Sequence, residues 1–321
     1  MAALSWQHGA ITTVSLPLKG QHGQVGVTVH VVRGENRVAL IDSGVVWAYP
    51  ALGEALHEMG VAKSTIKLLL LTHEHMDHIG NNGQLVAETG CLVAAHPMRA
   101  DLIADNERNA RSFVHRFPDV EPVFDLGPEY LDWMGPKAAP VNLFLREGVV
   151  IDLTGPRLEV IELPGHSPCE IGFFDSESRS LIFGDTLMPD RAPVLYLYED
   201  PGQLRDTCRK IQRFVQEREV AVVLSGHENP MGGPEAIEWA RVCLERTRKI
   251  EDAIIAALRE QPGITLGALR DVVVTAFGKL REWRALITIH GHLDELTRRG
   301  VVERRGSGWA IVAGASTDVA E

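Results

Sequence analysis

Thr72-His73-Glu74-His75-Met76-Asp77-His78-Ile79-Gly80 is the stretch on which the fold of this chain turns. It follows Leu68-Leu69-Leu70-Leu71, an apolar run of strand length that ends in a polar turn. Potential metal ligands thus leave the C-terminal end of a strand, where open α/β sheets place their sites. His73 and His75 alternate along an extended loop, so both imidazoles point the same way. Asp77 and His78 open a helix and project at another angle. One short loop can therefore offer two ligands to one ion and two to a second ion about 3.5–4 Å away. A single His is ordinarily a satisfied polar residue. Three His and an Asp crowded at one strand end are a metal-site pattern.

The HxHxDH form of this loop resembles the signature of the metallo-β-lactamase superfamily, and the other motifs of that family have counterparts in the same order. They are Asp42 in Leu40-Ile41-Asp42-Ser43-Gly44, His166 in Leu163-Pro164-Gly165-His166-Ser167, Asp185 in Phe183-Gly184-Asp185-Thr186, and His227 in Ser225-Gly226-His227. The resemblance runs from about residue 20 to about residue 260. It implies an α/β fold, a four-layer αβ/βα sandwich, holding two divalent metal ions. His73, His75 and His166 would take one ion, Asp77, His78 and His227 the other, with Asp185 bridging. Asp42 would orient the ligand loop without touching an ion, and it could equally cap the Ser-Gly turn that follows it. Imidazole and carboxylate without thiolate suit Zn²⁺ first, with Fe or Mn as alternatives.

That site implies a hydrolase working through a metal-bridging hydroxide, with Asp77 or a bound water protonating the leaving group. A carboxylate at position 75 would mark an oxidative diiron relative, so His75 points to hydrolysis. No Ser-His-Asp triad, phosphate loop or dinucleotide fingerprint competes for the chemistry. The favoured substrate is an ester, thioester or lactone of a small molecule. A single-stranded RNA or DNA endonuclease and a non-catalytic ligand-sensing or DNA-binding protein are the alternatives.

Composition bounds these options. The chain has 321 residues, 45% hydrophobic and 23% charged, with a formal charge of −11, unsuited to a surface built to hold nucleic acid. Cys91, Cys169, Cys208 and Cys243 form no CxxC pair and point to a reducing cytoplasm. Neither a signal peptide nor a membrane-spanning apolar run is apparent. Cys169 stands where relatives often have a Gly, and reads as structural.

The organisation reads as a catalytic domain over 1–245, a winged-helix-like module over 246–312 and a tail over 313–321. An extra stretch at 98–145 carries Phe113, Phe117, Phe124, Tyr130, Trp133 and Met134. It is either a small core of its own or a lid whose aromatic side chains face the metals and meet an acyl group. Phe113, Phe117, Tyr130 and Trp133, with Tyr196 further on, are the candidate substrate contacts. Tyr196 reads as a half-buried aromatic with a wet hydroxyl, or as an oxyanion donor. The C-terminal module pairs three helices with a two-stranded wing, and Arg281, Arg284, Arg298, Arg299, Arg304 and Arg305 make it basic. Acidic residues interrupt that face, so packing or a homodimer contact is preferred to nucleic acid.

Overall fold

Alternating β-branched residues make the first sheet. A computed structural model describes residues 4–18, 26–120, 133–188 and 192–316. In it β3 (Val27–Arg33) and β4 (Val38–Ile41) form the expected antiparallel hairpin, closed by Gly34 N–H donating to Arg37 O at 2.9 Å. A hairpin that was not anticipated, β1 (Leu4–His8) and β2 (Ile11–Leu16), pairs onto the free edge of β3. Beyond β4 the strands β5 (Ile66–Leu70), β6 (Leu92–Ala95) and β7 (Leu143–Phe144) run parallel, completing seven strands in chain order. Every residue of β3 from Val27 to Val32 is buried, because the sheet is covered on both faces. His30 survives there by bonding Thr13 at 2.9 Å and Thr28 at 3.3 Å, a structural role.

The second sheet is built from β8 (Val150–Asp152), β9 (Arg157–Glu162), β10 (Ile171–Asp175), β11 (Ser180–Ile182), β12 (Val222–Leu224) and β13 (Met231–Gly232), in reversed spatial order. Ile11, Val32, Ile41 and Leu70 meet Leu158, Val160, Phe173 and Leu224 between the two sheets. The outer face of the first sheet packs on α1 (Tyr49–Glu58) and on Leu85 of α3 (Asn82–Thr89), which follows the single turn α2 (Met76–Ile79). Helix α1 stops as expected before Gly60, whose φ of 68° suits glycine. The asparagines between α2 and α3 serve a junction. Asn81 Nδ2 donates to Ser43 O at 2.7 Å and Val45 O at 2.9 Å, and Asn82 Oδ1 accepts from Ser43 Oγ. The inserted stretch contributes α4 (Ala100–Ile103) and α5 (Asn106–Val114), the latter capped by Asp105.

Helices α6 (Pro201–Glu217) and α7 (Gly233–Glu260) cover the second sheet. Helix α7 runs without a break through residues 245 and 246. Past it come β14 (Ile264–Thr265), α8 (Leu266–Ala276), α9 (Arg284–Arg298), β15 (Val302–Arg305) and β16 (Gly308–Ile311). Thr265 caps α8 as expected. Where two strands were expected there are three, since β14 pairs with β16 and β16 with β15. One apolar cluster joins Leu204 and Ile211 of α6 to Leu269 of α8, Leu286, Ile289 and Leu293 of α9, and Trp309 of β16. Each such side chain removed from water contributes about 1.5–3 kcal/mol, so the C-terminal elements are held as core, not hung on a linker.

Candidate metal centre

The two halves of the sandwich bring the quoted loop and three distant loops to one end of the sheets. Leu70 ends β5, and Thr72 then donates its N–H and its hydroxyl to the Asp42 carboxylate at 2.8 and 2.7 Å. Asp42 sits just past β4 at φ 60°, a left-handed conformation that a non-glycine residue adopts only when its contacts hold it there. Those contacts are Thr72 and His78, whose Nδ1 lies 2.8 Å from Asp42 Oδ2.

His166 follows β9 and donates from Nδ1 to Leu197 O at 2.7 Å. His227 follows β12 and donates from Nδ1 to Gly26 O at 2.8 Å. Because those carbonyls accept only, both rings turn Nε2 inward. Two groups of facing donor atoms result. In one, His73, His75 and His166 place a ligand atom each within 4.8 Å of one another; in the other, Asp77, His78, Asp185 and His227 do the same. Asp185 reaches both, with Oδ2 3.1 Å from His227 Nε2 and 3.7 Å from His166 Nε2, and Oδ1 3.3 Å from His78 Nε2. Gly226 lines this space, and a Cβ there would collide with Asp185 Oδ1.

These atoms fit cations. Nε2 of His73 and of His75 are buried and make no hydrogen bond. His75 Nδ1 and His166 Nε2 face each other at 2.9 Å. Such orphaned lone pairs are costly unless a cation meets them. Charge follows the same division. Burial, helped by neighbouring imidazoles, drives His73 well below its ordinary value, and burial takes His75 and His166 down to about 4. In the other group burial is overcome by carboxylates. Asp185, Asp77 and Asp42 raise His78 well above the usual range, and Asp185 and Asp77 raise His227 to about 10. Burial works to raise both carboxyls, yet His78 and His227 hold Asp77 below the ordinary range and His227 and His78 do so for Asp185.

The expected substrate contacts disperse. Phe113 does reach the centre, with its ring edge-on to His75 at 4.8 Å. Phe117 turns instead to His290 of α9, and Trp133 stacks edge-on against Trp47 at 5.2 Å. Met134 is part of the core under the first sheet. Tyr130 and Phe124 lie outside the described residues. The picture of a lid with all its aromatics facing the metals therefore does not hold. Phe117 and Trp133 found partners away from the centre, and of the described aromatics in the stretch Phe113 alone faces it. Tyr196 is buried and stacks on His166 at 5.7 Å, but its hydroxyl donates to the Asp185 carbonyl, so it is neither wet nor turned inward.

Sequence reasoning passed over Glu74. It is fully buried between the first two histidines, and its Oε2 accepts from Ser167 Oγ at 2.6 Å and lies 3.1 Å from Cys169 Sγ. It thereby ties the first ligand loop to the loop of His166. The signal was a charged residue between two ligands, where nothing but a partner inside the protein could satisfy it. Glu199 was missed too; it holds Arg99 and Arg116 at 3.2 and 2.7 Å beside His75. The four cysteines are buried and free, and burial, then the nearby Glu74, pushes the Cys169 thiol well above its ordinary value, as befits a structural residue.

The chain matches the metallo-beta-lactamase superfamily over residues 22–227, from just before β3 through His227. It belongs to that superfamily. Like other superfamily members it is a metal-binding hydrolase. Among curated superfamily relatives, it is 28% identical over 290 residues to the probable metallo-hydrolase YqjP of Bacillus subtilis, covering 84% of this chain and 87% of that one. It is 30% identical over 156 residues to the hydroxyacylglutathione hydrolase GloC of Haemophilus influenzae, spanning 48% of this chain and only 62% of that enzyme. It is 27% identical over 222 residues to the human acyl-coenzyme A thioesterase MBLAC2, across 66% of this chain and 76% of the relative. A metallo-beta-lactamase family protein from Thermus thermophilus shares the fold with a TM-score of 0.75 at 24% identity, over 94% of this chain and 99% of that one. That overlap takes in the C-terminal elements as well. Among the described residues no helix is long and apolar enough to cross a membrane.

Proposed function

We propose that the protein is a dinuclear metal-dependent hydrolase acting on small-molecule thioesters, with oxygen esters and lactones as related substrates. The observation that carries this is the pair of facing donor groups that share Asp185. His73, His75 and His166 would hold one ion and Asp77, His78 and His227 the other, with Asp185 within reach of both groups. Zn²⁺ suits the donors best, with Fe or Mn as alternatives. When bound, such a pair supplies a Lewis acid for the scissile carbonyl and lowers the pKa of a water from about 15.7 toward 7.

The chain supplies the rest. Asp42 keeps the His78 ring turned inward, and Glu74 with Ser167 fixes the distance between the first loop and the third. The Asp77 side chain is 15% exposed and lies 3.1 Å from His227, so its Oδ2 can take a proton from water and pass it to the departing atom. Held ionised by His78 and His227, it carries no standing proton and is a poor donor. That weakness favours a thiolate leaving group, since a thiol ionises near pH 8.5 and needs little protonation. Relatives named as a hydroxyacylglutathione hydrolase and an acyl-coenzyme A thioesterase agree with this choice. Phe113 is the described wall for an acyl chain.

A groove of about 650 Å³ is lined by Met98, Arg99, Asp101, Arg108, Arg111 and Pro168, the last two residues past His166. Arg108 is tied to Asp101 and Arg111 to Glu107 by exposed pairs, which are worth about 0–1 kcal/mol and give way to a stronger anion. An anionic thiol carrier suits this groove. Residues 246–312 form a winged-helix-like module whose role is packing. Arg299 is tied to the buried Glu251, and Leu286, Ile289 and Leu293 bury one face of α9 in the core, which favours packing over a phosphate-binding role.

The test compares purified protein on acyl thioesters of anionic and neutral thiols, on lactones and on labelled single-stranded RNA, with metal analysis alongside. Thioester cleavage that chelation abolishes and Zn²⁺ restores is the expected result. RNA cleavage, or protein active without stoichiometric metal, overturns the proposal.

A further inference from the structure

The inward ring of His166 depends on one carbonyl, that of Leu197, and this carbonyl belongs to a stretch without sheet partners. Residues 195–198 adopt no regular secondary structure. Helix α9 takes the place of a neighbouring strand. The Thr288 hydroxyl is fully buried; it donates to Tyr196 O at 2.9 Å and accepts from Tyr198 N–H at 3.3 Å. Tyr198 N–H and Leu197 C=O are the two ends of a single planar peptide. Thr288 therefore grips one end of the unit whose other end accepts His166 Nδ1 at 2.7 Å.

Two further contacts from α9 close on the same stretch. The Tyr198 hydroxyl meets His292 Nε2 at 2.7 Å with both side chains buried. Gly291 lies so close to the Glu199 carbonyl that a Cβ there would collide with it. Glu199 N–H in turn donates to Gly165 O at 2.9 Å and His166 O at 3.2 Å, so its backbone is wedged between the helix and the ligand loop.

We propose that α9 is a positioning element of the metal centre. Thr288, with Gly291, sets the Leu197–Tyr198 peptide and through it the orientation of His166. The C-terminal elements thus act on the chemistry from outside the catalytic loops. The inference rests on the assignment of His166 to the all-imidazole ion.

The experiment uses the full chain and measures Zn²⁺ affinity by chelator competition, with thermal unfolding recorded in parallel. Thr288→Val keeps the side-chain shape and removes the hydroxyl; by comparison with other groups that orient a ligand, it should weaken about tenfold the Zn²⁺ assigned to His73, His75 and His166. Thr288→Ser restores the hydroxyl and should stay within about twofold of the parent. Should Thr288→Val not fold, Gly291→Ala serves in its place, because it displaces Glu199 and should weaken Zn²⁺ in the same direction. Leu296→Ala lowers stability from the same helix without a bond to residues 196–199, and should leave Zn²⁺ affinity near that of the parent. Unchanged affinity in Thr288→Val, or an equal loss in Leu296→Ala, overturns the inference. His166→Ala separates the two levels: if it binds Zn²⁺ like the parent, the assignment of His166 has failed, and the inference goes with it.

Discussion

The two donor groups of the centre lie side by side but differ in charge, one neutral and the other built of ion pairs. His73, His75 and His166 face one another as neutral imidazoles, because burial holds their protons off. His78 and His227 sit among Asp77, Asp185 and Asp42, and without a cation they carry protons that balance those carboxylates. The first group is ready for an ion at neutral pH. The second must exchange protons for one. Asp185 stands within reach of two groups whose imidazole pKa values are shifted in opposite directions.

The largest test of this contrast removes ligands. Under the proposed roles His166→Ala empties the imidazole half-site and Asp77→Ala weakens the other, and each should lower kcat/KM by about 10²–10³. Metal analysis should show the loss of one ion, not two. Loss of both ions from either variant would show that the half-sites fill only together.

Proton competition comes next. Metal affinity of the carboxylate half-site should rise at least about tenfold per pH unit between pH 7 and 9, as His227, raised to about 10, gives up its proton, and more steeply where His78, raised well above its ordinary value, gives up its proton too. The imidazole half-site should be flat over that range, since His75 and His166 sit at about 4. Parallel slopes in two-site titrations would break the comparison.

Outward-facing partners should have the next largest effect. Asp42→Asn weakens the His78 and Thr72 contacts and should reduce metal affinity about 10–100-fold at the carboxylate half-site while sparing the other. Binding isotherms of the variant read both.

The smallest effect is on stability without metal. His227 has a folded value of about 10 against an ordinary 6.5, so its stabilising contribution is full below pH 6.5 and lost as pH rises toward 10. His75 and His166 have folded values of about 4 against 6.5, so the unfolded chain binds protons first and stability falls from pH 6.5 to 4. Urea midpoints with chelator present should therefore pass through a maximum near neutrality and decline on both sides.

How much of this was legible depends on how local the cause is. The positions of the ligands could be read because each follows a strand end, and strand ends announce themselves through apolar runs and glycine turns, as at Leu68–Leu71 and Ser225-Gly226-His227. The hairpin at Leu4–Leu16 was overlooked although Ile11, Thr13 and Val14 are β-branched, because a short alternation at a chain end looks like a tail until a neighbouring strand pairs with it. The orientation of Phe117 and Trp133 was not legible. An aromatic side chain says that it will be buried, not against what.

The amino-acid sequence by itself determined the donor chemistry and the order of the ligand loops, since these follow from residue type and from spacing along the chain. Only tertiary structure decided that Asp185 stands within reach of both donor groups, that Glu74 ties two ligand loops together, and that Thr288, more than a hundred residues past His166, governs the peptide on which that ring leans. The physical reason is that a hydrogen bond or a charge shift depends on distance in space and on the exclusion of water, and neither is a property of any one segment.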